Sequence, residues 1–368
     1  MDREKFLRIQ GKLQKYGTLL RYFSFVILTF LYLQVQAFSV DISSQFLLPK
    51  INIFAGLLQI ILFLIFLLME EGSLSNLFSS LTKHILSDYK STFKMALPPV
   101  FLILSTEFIG IANEMLPNES KSANSFYIVG VAIFCLLLIK RKFMLTQILA
   151  ILFISMGLTY FPHENQIMST LLPNLFKDQE LYAYISIVAA ICCYGLSYAI
   201  LEKNLKSSDV SLWIRGIQLN LFVVPMSLFI CFGNYYINGM EMRDGFFDNF
   251  NIIAWFFIIF IVACNMMELF VIKVADSMFR MIALSLAVMI IGIMKYPFSF
   301  DSSSPTKVGT GLILAGTALY TLMDVGSFKE GDEGGMRDIQ SYIIPMKLYQ
   351  SVPTVSFNVK NNIQNIES

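Results

Sequence analysis

Ten apolar stretches, each long enough to cross a lipid bilayer, leave this chain few ways to fold. A hydropathy window of about 19 residues finds them. They lie near 22–41, 51–69, 95–115, 123–139, 143–161, 181–201, 211–232, 251–272, 279–297 and 308–325. A segment inside the bilayer must satisfy its backbone polar groups internally, and stretches of about 20 residues do so as helices. The sequence therefore predicts an all-α membrane protein with ten transmembrane helices.

The basic residues test this number of spans, because cytosolic loops are rich in Lys and Arg. Alternate segments on one side hold 20 of the 27 Lys and Arg residues, the other side holds six, and Arg215 lies within a span. A miscounted span would destroy this alternation. We therefore expect both termini in the cytosol, with a tail over 1–21, a ten-helix domain over 22–325 and a flexible tail over 326–368.

The composition argues against several classes of protein. With 56% hydrophobic and 14% charged residues, the chain is too apolar for a soluble domain, and a net charge of +1 offers no basic surface for nucleic acid. The five Cys and two His residues show no metal-ligand spacing. The spans contain no nucleophile–base arrangement. We therefore expect no metal, no cofactor, no catalytic residues and no enzyme activity.

Four charges interrupt the apolar run between 268 and 291, namely Glu268, Lys273, Asp276 and Arg280. A charge at the centre of a membrane helix costs roughly 2.5–3.5 kcal/mol, so it is kept where it pairs, reaches water or binds a ligand. This cluster is the first candidate for a functional site.

Two motifs resemble the nucleotide-sugar transporters, in the branch for CMP-sialic acid, UDP-galactose and UDP-N-acetylglucosamine. The first is "GLSYAILEKNLKSSDVSLWIRGIQLNLF" over 195–222, and the second is "VIKVADSMFRMI" in the charge cluster. The upstream "KMALPP" and "EEGSLSNLFSSL" are similar to further family segments, and the resemblance covers most of 20–325. It implies two five-helix halves of inverted topology with a site between them. It also implies exchange of a nucleotide-sugar for a nucleoside monophosphate across the Golgi or ER membrane.

The resemblance places two phosphate-facing lysines of the family on this sequence. One becomes Arg280, which keeps the charge and can bind phosphate bidentately. The alternative is an arginine that extends to the membrane surface. The second lysine falls on Tyr127 or Ile128, and no Lys or Arg occurs between Lys121 and Lys140.

The other family positions for substrate also differ here. The nucleobase-facing asparagine is Gly216, which either makes room for a larger base or marks a relaxed position, while Gln218 is kept and Asn220 lies one turn on. On the third helix Thr106 and Glu107 replace amides. We include all five, with Arg280, Tyr127 and Glu268, among the candidate substrate-binding residues.

Glu107 and Glu268 add acid to a site that is basic in the family. Either each pairs with a nearby base, which for Glu268 is Lys273 or Arg280, or the substrate is less anionic or coupled to a proton. Lys273 and Asp276 are spaced for an i, i+3 ion pair within the family framework. Glu202 and Lys203 match a family pair, and we interpret both as interfacial.

The leading hypothesis is an antiporter for a pyrimidine-nucleotide sugar and its nucleoside monophosphate. The alternatives are a transporter of a less anionic metabolite on the same fold and a non-transporting membrane scaffold with an eroded site. Gly311 and Ala315, at a small-xxx-small spacing, indicate close helix contact. We favour packing inside the molecule, with a homodimer contact as the alternative.

Overall fold

The computed structural model describes residues 44–116, 124–160, 178–207, 210–237, 252–295 and 305–327, together with 23, 26, 27 and 30. Every regular element in these ranges is helical. The α-helices are α1 Ser44–Glu71, α2 Leu74–Leu81, α3 Tyr89–Lys94, α4 Leu97–Met115, α5 Tyr127–Phe134, α6 Leu145–Thr159, α7 Asp178–Lys206, α8 Leu212–Ile237, α9 Ile252–Val274, α10 Ser277–Lys295 and α11 Pro305–Ser327. Two π-helical segments, Thr82–Ser87 and Cys135–Ile139, and a 3₁₀ turn, Asn124–Phe126, complete them.

Five helical stretches in the described residues are long and apolar enough to cross a membrane, one of them running through α3 and α4. They are Pro49–Glu71, Tyr89–Met115, Leu181–Lys206, Leu212–Gly233 and Ala254–Lys273. Shorter apolar helices cover Tyr127–Ile139, Leu145–Thr159 and Ser277–Ile290. The all-α prediction is confirmed, and each predicted span after the first overlaps one of the helices above. Most of the first span, 22–41, lies outside the described residues, so the total of ten crossings stays a prediction.

Contacts divide the chain into two units, Met1–Met323 and Asp324–Ser368. The predicted tails, 1–21 and most of 326–368, lie outside the described residues. The described helices of the first unit surround a continuous apolar core that includes Phe63, Leu67, Ile128, Ile154 and Ile282.

Helices α4 and α7 pack along their length, and two serine hydroxyls join them. Pro98 and Pro99 stand at the start of α4, where a missing backbone N–H costs little. The hydroxyl of Ser197 on α7 donates to the Pro98 carbonyl at 2.7 Å. Ser105, about two turns further along α4, donates to the Ala190 carbonyl of α7 at 2.8 Å. Each hydroxyl thus bonds a carbonyl of the other helix across the contact.

Glycines allow α5 and α7 to approach until their backbones touch. A Cβ atom on Gly195 would overlap the backbone of Gly130, and one on Gly130 would lie 2.7 Å from the Ile191 carbonyl oxygen. Neither contact can be relieved by a side-chain rotation, so both positions require glycine.

The close contact made by α11 uses a different face from the one predicted. A Cβ atom on Gly316 would lie 2.8 Å from the Ala150 carbonyl oxygen of α6. Gly311 has open space around it, and both Gly311 and Ala315 are exposed. The expectation that these two residues pack inside the molecule is therefore wrong. The homodimer alternative stays a prediction.

Candidate functional site

Arg280 lies in the first turn of α10, among residues from two other helices, and its residue is only 8% exposed. Its Nη1 donates to the Tyr194 hydroxyl oxygen at 2.6 Å. The guanidinium carbon lies 4.1 Å from the centre of the Tyr198 ring, a cation–π distance. The side chain is thus held between α7 and α9 and enclosed by protein.

Tyr194 and Tyr198 reach Arg280 together because residues four apart share one face of α7. Their ring centres are 4.7 Å apart and tilted by 48°. The sequence motifs pointed to this stretch, but neither tyrosine was among the predicted site residues. An aromatic pair at i, i+4 within a span, facing a charged helix, is the signal that could have identified them.

Tyr127, at the start of α5, extends this site towards α4. Its ring stacks on Tyr194 with centres 4.2 Å apart and 11° between the planes. Its hydroxyl lies near Ser105 of α4. The family lysine falls on Tyr127 or Ile128, and both residues are uncharged here.

Glu268 of α9 pairs with Arg280, as one of the two sequence alternatives stated. Oε1 lies 3.3 Å from Nε and Oε2 lies 3.3 Å from Nη2. Charge-assisted bonds of this kind are usually about 2.7–2.9 Å long, so the pair is loose. The Nε–H is not directed at an oxygen, and among the described residues it has no hydrogen-bond partner. We therefore treat the Nε contact as an ion pair without a hydrogen bond.

A buried carboxylate holds the first residue of α10 next to this site. Glu202 of α7 is 2% exposed, accepts from the Ser277 backbone N–H at 2.9 Å and pairs with Lys206 at 2.7 Å. Lys206 also donates to the Ala275 carbonyl at 2.6 Å. The Glu202 side chain is enclosed by protein, and its interfacial depth in the membrane stays a prediction. Lys203 beside it is exposed.

Asp276, at the start of α10, pairs with Arg141 at 2.6 Å and accepts from the Phe279 backbone N–H at 2.6 Å. The predicted pair with Lys273 is wrong, since the Lys273 ammonium instead donates to the Val210 carbonyl at 3.1 Å. An aspartate at the start of a helix stabilises the first turn by accepting from its free N–H groups. The ion pair with Arg141 holds Asp276 in that position.

Arg141 also links this end of the bundle to the last helix. It lies in the loop between α5 and α6, and its Nη2 donates to the Tyr320 hydroxyl of α11 at 3.1 Å. Burial lowers the pKa of Arg141, but the charge and hydrogen bond of Asp276, together with Tyr320 and Glu202, raise it above its ordinary value, so the guanidinium stays charged. Arg141 thereby joins the α5–α6 loop to α10 through Asp276 and to α11 through Tyr320.

Gln218 lies in a second polar network, between α8 and the π-helical segment 82–87. Its amide nitrogen donates to the His84 carbonyl at 2.8 Å and to the Thr92 hydroxyl at 3.0 Å. Its amide oxygen accepts from Arg215, which also donates to Ser91 at 2.7 Å. Both ends of the Gln218 amide are thus in use in this conformation.

Gly216 and Asn220 lie where α8 packs on α1. A Cβ atom on Gly216 would overlap the Phe63 ring, so that ring fills the space beside it. Asn220 is 2% exposed, and its amide nitrogen donates to the Gly216 carbonyl at 2.9 Å. Thr106 and Glu107 are exposed on α4, with the Thr106 hydroxyl donating to the Ile103 carbonyl at 2.7 Å.

The predicted residues therefore fall into three groups. Arg280, Glu268 and Tyr127 meet around Tyr194, whereas Gly216, Gln218 and Asn220 lie on α8 and contact α1 or the π-helical segment. Thr106 and Glu107 lie on the exposed face of α4. The first group offers one guanidinium, with an unsatisfied donor, beside aromatic hydroxyls. Such a set of groups suits a phosphate or carboxylate attached to a flat ring.

The chain is also similar to known proteins. The family model described as "Nucleotide-sugar transporter" matches residues 16–321. The UDP-N-acetylglucosamine transporter of Rattus norvegicus is 26% identical over 265 residues, which cover 70% of this chain and 79% of that protein. The UDP-galactose/UDP-N-acetylglucosamine transporter of Caenorhabditis elegans is 25% identical over 264 residues, with coverage of 70% and 69%.

Two further similarities extend the comparison. The UDP-galactose translocator of Mus musculus is 25% identical over 257 residues, which cover 69% of this chain and 64% of that protein. A solved crystal structure aligns with a TM-score of 0.59 at 12% identity and covers 85% of this chain and 99% of that chain. At that identity the structural likeness concerns the fold alone.

Proposed function

The chain belongs to the nucleotide-sugar transporter family, and on that basis we propose that it exchanges a pyrimidine-nucleotide sugar for a nucleoside monophosphate. Exchange occurs by alternating access, with the site opening first to one side of the membrane and then to the other. The names of the relatives, which specify UDP-linked sugars, support a uridine nucleotide as the first ligand to test.

The proposed topology has ten membrane helices in two inverted halves over 22–325, with both terminal tails in the cytosol of a Golgi or ER membrane. The excess of basic residues on one side supports this orientation. Inverted halves fit because an odd number of helices reverses the direction of a repeat.

The observation on which the proposed function depends is the buried guanidinium of Arg280. It stands where the family resemblance puts a phosphate-facing lysine, and its Nε–H has no hydrogen-bond partner among the described residues. A buried donor without a partner costs free energy that a bound acceptor would recover. We assign the ligand phosphate to Arg280, and the nucleotide to the surroundings of Tyr127 and Tyr194.

The remaining predicted residues receive supporting roles. Asn220 and Gly216 face the α1–α8 contact and Thr106 lies on α4, so we propose that they line the path when the halves separate. Gln218 can reach a ligand only by giving up its bonds to His84 and Thr92. It is therefore the proposed ligand residue whose recruitment needs the largest rearrangement.

The test is trans-stimulated uptake in proteoliposomes. Vesicles with the purified chain are preloaded with UMP, CMP or GMP, and uptake of labelled UDP-N-acetylglucosamine, UDP-galactose and CMP-sialic acid is measured. We expect a matching monophosphate to stimulate uptake, Arg280→Ala to abolish it and Arg280→Lys largely to preserve it. Exposed Lys203→Ala is the matched control. Absence of stimulation by every nucleotide, with folded protein confirmed, would favour a scaffold with an eroded site.

A second candidate, a transporter of a less anionic metabolite, is favoured by the charge of the site. One family cation is replaced by an uncharged residue, Tyr127 or Ile128, and Glu268 pairs with the remaining cation, Arg280. Glu107, exposed within the candidate span Tyr89–Met115, could serve as a proton carrier. Uptake driven by a pH gradient and lost in Glu107→Gln would support this candidate over nucleotide exchange.

A further inference from the structure

We propose that Glu268 determines specificity by competing with the ligand phosphate for Arg280, and that it takes up one proton from solution when the phosphate displaces it. This proposal rests on the proposed function and adds to it. In this role the Glu268 carboxylate does more than stabilise the fold, although it does not bind the ligand directly.

The geometry of Arg280 leaves one bidentate edge for an anion. Nη1 is occupied by the Tyr194 hydroxyl at 2.6 Å and the Met281 sulfur at 3.2 Å, and one face of the guanidinium lies against Tyr198. The remaining edge, formed by Nε and Nη2, is the one that Glu268 faces. A phosphate that binds Arg280 through two bonds must therefore take the place of Glu268.

The Glu268 carboxylate is a weak occupant of that edge. Both of its contacts with Arg280 are 3.3 Å long, and Nε–H has no hydrogen-bond partner among the described residues. A phosphate can approach the same two donors at the shorter distances usual for charge-assisted bonds. The exchange replaces a loose pair with a closer one, so a phosphate has an advantage that a neutral ligand lacks.

Displacement leaves Glu268 without a cation. The groups near it are Arg280 from α10, the Tyr198 hydroxyl from α7 and the Cys264 thiol on its own helix. On α1 and α8, Glu70 is bonded to Ser211 and Arg215 to Ser91. Lys273, further along α9, donates to the Val210 carbonyl. Neither Tyr198 nor Cys264 can neutralise a carboxylate.

A carboxylate that loses its counter-charge in apolar surroundings favours the protonated form. The incoming phosphate pairs with Arg280 in place of Glu268. The proton then neutralises the Glu268 carboxylate, which has lost its counter-charge. The net charge of the site therefore changes only by the charge of the ligand plus one proton. Binding of a phosphate ligand should tighten as the pH falls.

The experiment measures proton uptake directly on the full chain in detergent. UDP-N-acetylglucosamine and CMP-sialic acid are the probes, because phosphodiester groups keep their charge over this pH range, unlike a monophosphate whose second pKa is about 6. Calorimetric titration in buffers of different ionisation enthalpy gives the number of protons taken up per ligand. We expect about one for the unmodified chain and none for Glu268→Gln.

Affinity provides the second readout. Glu268→Gln removes the competing charge, so the Kd for the bound probe should fall by about tenfold at neutral pH and lose its pH dependence. Glu114→Gln, an exposed carboxylate of α4, is the matched control and should behave like the unmodified chain. If Glu268→Gln does not fold, the proton count of the unmodified chain still decides.

The outcomes separate this proposal from the proposed function. Nucleotide-sugar binding without proton uptake, or with equal or weaker affinity in folded Glu268→Gln, overturns the role of Glu268 and leaves nucleotide exchange in place. Absence of binding of any nucleotide-sugar at any pH overturns both.

Discussion

The rings of Tyr127 and Tyr194 lie nearly parallel, with their centres 4.2 Å apart, although they come from two different helices. The backbone contact between Gly130 and Gly195 explains this closeness. Gly130 is one turn from Tyr127, and Gly195 directly follows Tyr194. The separation of the helices, and not a choice of rotamer, therefore sets the distance between the rings.

Gly195→Ala should destabilise the protein, since its Cβ would overlap the Gly130 backbone. Overpacking of this kind typically costs about 1–3 kcal/mol, and a backbone neighbour cannot move aside. Gly110→Ala is the control, because Gly110 is helical with open space around it and alanine favours a helix by up to about 1 kcal/mol. Melting temperatures in detergent compare the two, and equal values would contradict the tight α5–α7 contact.

Tyr194→Phe should weaken nucleotide-sugar binding while keeping the ring stack. The change removes the hydroxyl that accepts from Arg280 at 2.6 Å, a bond to a charged group worth about 1.5–3 kcal/mol. We expect the Kd for UDP-N-acetylglucosamine to rise about tenfold. Tyr182→Phe, an exposed tyrosine on the same helix, should bind as the unmodified chain does. Unchanged binding in Tyr194→Phe would show that its hydroxyl does not position Arg280.

Glu202→Ala should be among the most destabilising changes at the α9–α10 junction. It leaves the Ser277 N–H and the Lys206 ammonium without their carboxylate. Loss of one partner from a buried charged pair costs roughly 3 kcal/mol or more. The neighbouring Lys203→Ala removes an exposed charge and should stay within about 0.5 kcal/mol. Similar melting temperatures for the two variants would contradict the burial of Glu202.

Arg280→Met and Glu268→Gln should not be additive in stability. Arg280→Met alone leaves the Glu268 carboxylate, 18% exposed, without a counter-charge, and we expect a loss of about 2 kcal/mol. The double variant removes both charges and should recover most of that loss. A double-mutant cycle on melting data measures the coupling. Additive effects would mean that the two charges do not interact in the folded protein.

Much of the helical framework was predictable from the sequence, because apolar length alone determines which segments avoid water. The helices α4 to α11 overlap predicted spans. The prolines of the third span are accommodated because they stand in the first turn of α4, where a missing backbone N–H costs little. The short helices α2 and α3 and the π-helical segment between them had no such signal. Their hydrogen bonds, such as Ser73 with Asn76, are local and polar.

The charged residues of the site could be predicted from the sequence, but most of the residues that they contact could not. Arg280 and Glu268 were identified because charges are rare in the spans, and their pairing was one of two stated alternatives. Asp276 was assigned the wrong partner because Arg141 is distant in sequence and only the packing of the helices brings it near. Tyr194 and Tyr198 were missed because tyrosine within an apolar helix carries no charge to mark it.

The contacts around Arg280 also have a consequence for how the chain is made. Arg280 is synthesised 86 residues after Tyr194, whose hydroxyl it engages, and 12 residues after Glu268. Until α10 enters the membrane, Glu268 has no guanidinium beside it and the Tyr194 hydroxyl lacks its donor. A nascent or truncated chain that ends at α9 therefore contains Glu268 without the guanidinium that pairs with it. Only the insertion of α10 supplies that positive charge.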